Sequence, residues 1–286
     1  MQSPQISVIM PTWNAEPFLA AAVESILSQT FRDFELLVLD GGSTDRSLEI
    51  LSGYRDSRLR VLTAPAAGIL AALNFGIEQA RAPWIARQDA DDISLPQRLQ
   101  IQYGRLNRDS KAVFSHTDVD YIGEGKNTMG RARFPRTQAL VALRLCWQCP
   151  IVHGSVMFKK AAALAVGGYQ QQQAEDFDLW GRLIEKGRCL GIPQKLLKFR
   201  IHPVSASNRH RELMLTLARS IAIDHCRRFM QLSLEEAERA YAVLCAPDKR
   251  SLKDWSWLLA HCITRFRWKS PEMFAWLGLQ TLKLLR

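Results

Sequence analysis

Trp84-Ile85-Ala86-Arg87-Gln88-Asp89-Ala90-Asp91-Asp92 runs from an apolar strand pattern straight into three carboxylates within four residues. Like charges that close repel one another unless a cation sits among them. Hard cations such as Mg²⁺ and Mn²⁺ prefer carboxylate oxygen, and Mg²⁺ takes few protein ligands, filling its other positions with water and substrate phosphates. An Asp-x-Asp at a strand end therefore points to a metal-bridged diphosphate. A solvated acidic turn gives the same tripeptide, so the neighbouring segments decide.

Ile6-Ser7-Val8-Ile9-Met10 is a short strand pattern, stopped by Pro11-Thr12-Trp13-Asn14, with Asn14 the expected cap of a helix over about 17–30. Phe34 to Leu39 is a second strand, ended by Asp40-Gly41-Gly42-Ser43, and a helix capped by Ser43 or Thr44 follows to about Arg55. Arg60 to Leu62 is a third strand. Gly68 opens a helix through Ala80, and the fourth strand, near Trp84 to Arg87, delivers the acids. Such alternation predicts a parallel sheet covered on both faces, with ligands beyond the carboxyl ends of its strands. Residues 11–14, 40–45 and 89–92 all fall there, which implies a nucleotide cleft. GxGxxG and GxxxxGK[ST] are both absent, so neither a dinucleotide fingerprint nor a P-loop accounts for it. The second half is mixed: a strand over Ser155–Phe158, a short helix from Lys160 to Val166 ended by Gly167-Gly168, a helix over Glu175–Lys186, and a strand Leu196–Arg200 leading to His202-Pro203. From about His210 the pattern is helical.

The 286 residues and 47% hydrophobic content suit one large α/β domain with an appendage. The six cysteines and the start Met1-Gln2-Ser3-Pro4-Gln5, without a basic and apolar leader pattern, read as reduced thiols in a cytoplasmic protein. Cys146-Trp147-Gln148-Cys149 is half a zinc site with nothing to complete it, so buried small hydrophobes are expected. The net charge of +10 leaves nucleic acid, an anionic membrane face and phosphorylated substrates as partners. No apolar run approaches the ~20 residues that span a bilayer.

Pro11-Thr12-Trp13-Asn14, Leu39-Asp40-Gly41-Gly42-Ser43-Thr44-Asp45, Ala71-Ala72-Leu73-Asn74, the stretch from Ile85 to Pro96, Pro150 to Met157, Glu175 to Trp180 and Arg200 to Pro203 occur in one order. In that order they resemble the signatures of family 2 glycosyltransferases with the GT-A fold, over about residues 6 to 208. The resemblance implies an α/β GT-A architecture, Rossmann-like, with a mostly parallel central sheet flanked by helices, here followed by a C-terminal helical extension. It divides the chain into a nucleotide-sugar half (1–115), an acceptor-binding and catalytic half (116–209) and the extension (210–286).

By this likeness the reaction moves a sugar from a nucleoside diphosphate, UDP, to an acceptor hydroxyl with inversion, in surface polysaccharide or glycolipid assembly. The nucleotide site would comprise Pro11, Thr12, Trp13, Asn14, Asp40, Gly68 and Asp89, with Trp13 standing where relatives commonly have Tyr and stacking on the base. Asp91, His202 and Asp89 would hold Mn²⁺ or Mg²⁺, with Asp92 the lesser of the adjacent acids. Asp176 would be the catalytic base, with Glu175 beside it and Trp180 and His153 toward a saccharide or lipid-linked saccharide acceptor. Gly41, where many relatives have a second Asp, removes one donor contact, and Cys149 replaces the commoner Asn before Pro150.

Displacing a nucleoside diphosphate needs the leaving charge neutralised and the attacking hydroxyl deprotonated. A positioned carboxylate contributes about 10²–10⁴-fold to the second. Read without the family pattern, Asp176 and Glu175 also suit first-turn helix acids, His202 a turn residue, His153 a core or rim histidine, and Trp180 a core side chain. A nucleotidyltransferase shares the fold and the metal clamp and is the nearest rival. An aspartyl-phosphate enzyme would want Asp-x-Asp-x-Thr spacing, which Asp40-Gly41-Gly42-Ser43-Thr44 lacks. A basic nucleic-acid-binding module would show a recognisable binding motif, and none is evident. No nucleic-acid partner is expected.

Between Pro247 and Arg286 eight basic residues face three acidic ones, interleaved with Trp255, Trp257, Phe266, Trp268, Phe274 and Trp276. That mixture fits either peripheral contact with an anionic membrane, on the inner face, or packing of the tail onto the catalytic domain.

Overall fold

The computed structural model describes residues 3–124, 127–171, 173–202, 211–245 and 251–284. By contacts the chain forms two units, one of residues 1–134 and 151–209 and another of 135–150 and 210–286.

The first unit opens with β1 (Ile6–Thr12), α1 (Glu16–Leu27), β2 (Phe34–Asp40), α2 (Ser47–Ser52), β3 (Leu59–Thr63), α3 (Ile69–Gln79) and β4 (Trp84–Arg87). These four strands are mutually parallel in the order β3-β2-β1-β4, as expected from the alternation. The alternating residues Ile6, Val8 and Met10 face Leu19, Ala22, Val23 and Ile26 of α1 in one core layer. On the opposite face Gly76 of α3 lies so close that a Cβ there would sit 2.6 Å from Leu39 and 2.8 Å from Ile9. Covering both faces is what lets β1 and β2 be apolar almost without interruption.

The sheet continues through β5 (Ile93–Ser94), α4 (Arg98–Asn107), β6 (Ala112–Ile122), β7 (Thr128–Ala132), β8 (Met157–Lys159), α6 (Lys160–Ala165), α7 (Glu175–Leu183) and β9 (Arg188–Arg200), α5 (Gln138–Leu145) belonging to the other unit. Among the described residues it has nine strands in the order β3-β2-β1-β4-β8-β6-β9-β5, with β7 on β6. The reversal falls at β8, antiparallel to both β4 and β6. β9 is far longer than the expected 196–200. Gly191 pairs in register with His116, and a register shift after Ile192 absorbs Pro193; both look like breaks in sequence.

Two expected caps differ. Helix α1 starts after Ala15, without a side-chain cap, and Asn14 instead takes φ 47°. Helix α2 starts only at Ser47, because Ser43, Thr44 and Asp45 are used in binding the neighbouring loop.

In the second unit α5 packs with α8 (Arg211–Met230), α9 (Leu234–Cys245), α10 (Leu252–Thr264) and α11 (Pro271–Leu284). Ser233 and Glu236 form a reciprocal capping box at the start of α9. Trp255 and Phe266 are buried and Trp147 stacks on Trp276 at 5.5 Å, so much of the tail's aromatic surface is core for this unit. Cys146, Cys226 and Cys262 are buried free thiols. No described helix is long and apolar enough to cross a membrane.

Candidate active site

The parallel register aligns Thr12 with Asp40 and Asp40 with Thr63 at the strand ends. Beyond them two loops brace each other. Asn14 Oδ1 accepts from Thr44 N at 2.8 Å, Asn14 N donates to Ser43 Oγ at 3.0 Å, and Glu16 N donates to Asp45 at 2.9 Å. Asp40 is buried, and its carboxylate accepts from Gly42 N and Ser43 N of its own turn. Gly41 N donates to Thr12 O at 2.8 Å, bringing the loop beside Trp13. Trp13 is 57% exposed beside this turn. Gly68 holds φ 85° at the head of α3 with open space around it, so its backbone angle requires glycine and crowding does not.

The acid segment stands next to this floor. Asp89 pairs with Arg87 at 2.6 Å, and its carboxyl is raised by burial against the pull of that guanidinium. Asp91 Oδ2 meets His202 Nε2 at 2.8 Å, and the His202 ring packs on Phe18 with centroids 5.1 Å apart. Asp92 is fully buried. Its Oδ1 accepts from Arg200 N at 2.8 Å, while Oδ2 finds no hydrogen-bond partner among the described residues. Burial and the charges of Asp89 and Asp91 push the Asp92 carboxyl well above the ordinary range. Asp92 straps the loop to the end of β9. Arg200 completes the strap, donating to Asp91 O, Gly123 O and Glu124 O.

Arg98 lies beneath. It is fully buried, and its guanidinium donates to Gln88 Oε1, Ser94 Oγ, Arg87 O and Gln102 Oε1 at 2.6–3.0 Å. Burial lowers its pKa to about 10, and the charges of Asp92 and Asp89 oppose that fall. A cation satisfied by neutral acceptors thus sits under a cluster of acids. Arg98 and Gln102, one turn apart, share the buried face of α4 with Leu99 and Leu106.

The second carboxylate pair arrives on α7. Gln173 and Ala174 both take left-handed backbone angles, φ 58° and 61°, unusual for residues with side chains. They turn Glu175 and Asp176 onto the first turn of the helix. Asp176 is half-buried and accepts from Phe177 N at 2.7 Å. Burial, then the neighbouring Glu175 charge, pushes it up to about 7, and the Asp89 charge adds to the rise. The two acidic clusters are therefore near enough to feel each other. His153, on a short 3-10 turn, faces Glu175 Oε1 at 3.7 Å and Tyr169 Oη at 2.8 Å. Trp180 does not reach a ligand surface. It is fully buried, stacked on Phe114 and edge-on to His153, so its expected place facing an acceptor gives way to a supporting one.

Among the described residues no three His, Cys, Asp or Glu side chains gather around one point. The Asp91–His202 pair offers one carboxylate oxygen and one imidazole nitrogen, and that donor set fits a hard cation completing its sphere from phosphate and water.

Residues 7–165 match the family described as Glycosyl transferase family 2. The chain is 30% identical over 246 residues to the putative glycosyltransferase EpsE of Bacillus subtilis, covering 82% of this chain and 85% of that one. It is 30% identical over 204 residues to the O-antigen biosynthesis glycosyltransferase WbnJ of Escherichia coli, covering 69% and 80%. Among solved structures it resembles S. aureus TarS 1–349 in complex with UDP-GlcNAc, with a TM-score of 0.65 at 15% identity, covering 90% of this chain and 79% of that one. It also resembles the mannosyltransferase PcManGT of Pyrobaculum calidifontis in complex with GDP-Man and Mn²⁺, with a TM-score of 0.59 at 16% identity, covering 98% and 85%.

Proposed function

The chain belongs to glycosyl transferase family 2, and we propose that it transfers a sugar from UDP to an acceptor hydroxyl with inversion, in assembly of a surface polysaccharide or glycolipid. One observation carries this reading. A half-buried carboxylate, Asp176, is poised near neutral pH within electrostatic reach of the acids at the strand ends. A base must be ionised to take the acceptor proton, yet basic enough to hold it, and a value near the working pH meets both needs. The exposed Trp13 face and the Asp40 turn supply the base end of a nucleotide cleft. The UDP-GlcNAc bound by TarS and the O-antigen role in the name of WbnJ support the donor and acceptor class.

A divalent cation would rest on Asp91 and His202, with Asp89 beside them. When bound it supplies positive charge for the departing diphosphate. Phe18 fixes the His202 ring, and Arg200 fixes the main chain of Asp91. Asp176 takes the proton of the acceptor hydroxyl in a single displacement.

The second unit suits peripheral contact with the inner membrane face. Along α11, Pro271, Phe274, Ala275, Gly278 and Leu279 are all exposed at helical spacing, preceded by exposed Arg265, Arg267 and Lys269. These residues take over the part assigned in sequence to the tail's tryptophans.

A thermal-shift screen of UDP, GDP, CMP and their sugars with Mn²⁺, followed by product analysis, tests the function. UDP and its sugars should stabilise most, and turnover should release nucleoside diphosphate. Release of pyrophosphate would replace the reading with nucleotidyl transfer.

A further inference from the structure

His153 is used by no step so far, yet its surroundings are built around it. Asn74 of α3 grips the backbone of Tyr169 in both directions, Nδ2 donating to Tyr169 O at 2.8 Å and Oδ1 accepting from Tyr169 N at 2.9 Å. Gly168 leaves the room for this, since a Cβ there would lie 2.4 Å from Asn74 Oδ1. The grip sets the phenol 2.8 Å from His153 Nε2, while Trp180 presses edge-on to the imidazole with centroids 5.7 Å apart. Burial raises the Tyr169 phenol above its ordinary value, so it keeps its proton, and donating that proton to Nε2 is the arrangement that leaves Nδ1–H toward the carboxylate of Glu175. Burial and then the Arg87 charge hold His153 well below its ordinary value, so the ring is neutral. A neutral imidazole that accepts at Nε2 carries its proton on Nδ1. Nδ1 is the atom facing Glu175 Oε1, 3.7 Å away, with both side chains about 85% enclosed. That distance exceeds a hydrogen bond, but an N–H dipole aimed at a carboxylate in an enclosed site favours its ionised form.

We propose that His153 is a positioning residue whose tautomer, fixed by Tyr169, turns Nδ1–H toward Glu175 and keeps that carboxylate ionised and aimed beside Asp176. The inference rests on Asp176 being the base and adds what sets its working range. Glu175 is the nearest like charge to Asp176, with Asp89 farther off, and the Phe177 N–H acts in the opposite sense. Burial raises the Glu175 carboxyl, its own backbone N–H and the Arg87 charge pull it down, and Asp89 adds to the rise, so an N–H from His153 works against the burial. If Glu175 loses its N–H it takes a proton more readily, and a neutral Glu175 no longer raises Asp176.

The test is the acid limb of the kcat/KM–pH profile. His153→Leu should move that limb to lower pH by ~0.5–1 unit, with UDP binding unchanged. His153→Asn, which returns an N–H near the Nδ1 position, should bring it back. In a Glu175→Gln background, itself shifted down, His153→Leu should add no further movement. Tyr169→Phe, which keeps the ring packing, should raise the share of the Nε2–H tautomer, read by imidazole nitrogen NMR. It also serves if His153→Leu does not fold. A uniform loss of rate with an unmoved limb, or an equal shift in the Glu175→Gln background, would overturn the proposal. Near-normal transfer by Asp176→Asn would instead remove the base on which it rests, so the two failures are distinguishable.

Discussion

Replacing Asp176 by Asn should lower catalysis and raise stability together, because one environment causes both. Asn keeps the size and the contact with Phe177 N but cannot take a proton, so transfer should fall by about 10²-fold or more with UDP-sugar binding intact. The folded chain holds Asp176 at about 7 against an ordinary 3.8. A carboxyl raised on folding binds its proton more tightly in the native state, so its contribution is fully favourable below the unfolded value. That contribution is lost as pH rises from about 4 through about 7. The gap of roughly three pH units at about 1.4 kcal/mol each sets a ceiling of ~4 kcal/mol. Asp176 is only half-buried, and solvent screening reduces this to ~2 kcal/mol. For a chain of this size that corresponds to about 4–8 °C in Tm. The assay pairs sugar-transfer rates with thermal melts at pH 5 and pH 8. Asp176→Asn should melt higher than the parent at pH 8, and the gap should narrow at pH 5. A variant that is inactive yet no more stable at pH 8 would refute the claim that burial tunes this carboxylate.

Asp91→Ala should abolish stimulation by Mn²⁺ and weaken UDP-sugar binding sharply, and chelation by EDTA should stop turnover of the parent; full turnover after EDTA treatment would remove the cation from the reaction. Arg98→Met removes one of the two donors to Gln88 Oε1, along with the guanidinium contacts to Ser94 Oγ, Gln102 Oε1 and Arg87 O, and takes the positive charge from beneath Asp89 and Asp92, so it should cost about 3–5 kcal/mol in urea unfolding, and a loss under about 1 kcal/mol would show the network to be dispensable. Phe274→Glu with Leu279→Glu should abolish flotation with anionic vesicles at low salt while leaving transfer to a soluble acceptor unchanged, and undiminished flotation would place any membrane contact elsewhere.

Legibility from sequence differs between the two halves of the sheet. Strands β1, β2 and β4 read directly because they are buried on both faces and almost wholly apolar, and the residues just past them necessarily form the cleft. Strand β6 is nearly as buried, yet it carries Ser115, His116, Thr117 and Asp118 along its middle. Those polar groups find partners only in the folded chain, as when Gln102 donates to Ser115 and Asp118 accepts from Phe134 N. Periodicity cannot register such burial. Asp40, Asp91 and Asp176 were visible as acids at punctuated positions. The supports were not, because the parts played by Asp92, Arg98 and Arg200 come from contacts across the fold. Trp180 illustrates the converse: a conspicuous motif residue whose helical position turns it inward.

The strap between Asp92 and Arg200 spans 108 residues of chain, and that separation has a consequence in time. Protein synthesis at about 5–20 residues per second delivers the acidic loop about 5–20 s before the arginine and histidine that bind it. Throughout that interval strands β1 to β4 can pair among themselves, but the carboxylates at their ends face one another without His202 or Arg200. Arg87 and Arg98, made almost together with the loop, already lie against its acids, but the bonds that tie it down form only when β9 docks along β6, so the last of the described strands to emerge is the one that fixes the loop's closed form. A nascent or misassembled chain thus lacks the tied acidic loop, and its closure becomes a property of the fully threaded sheet.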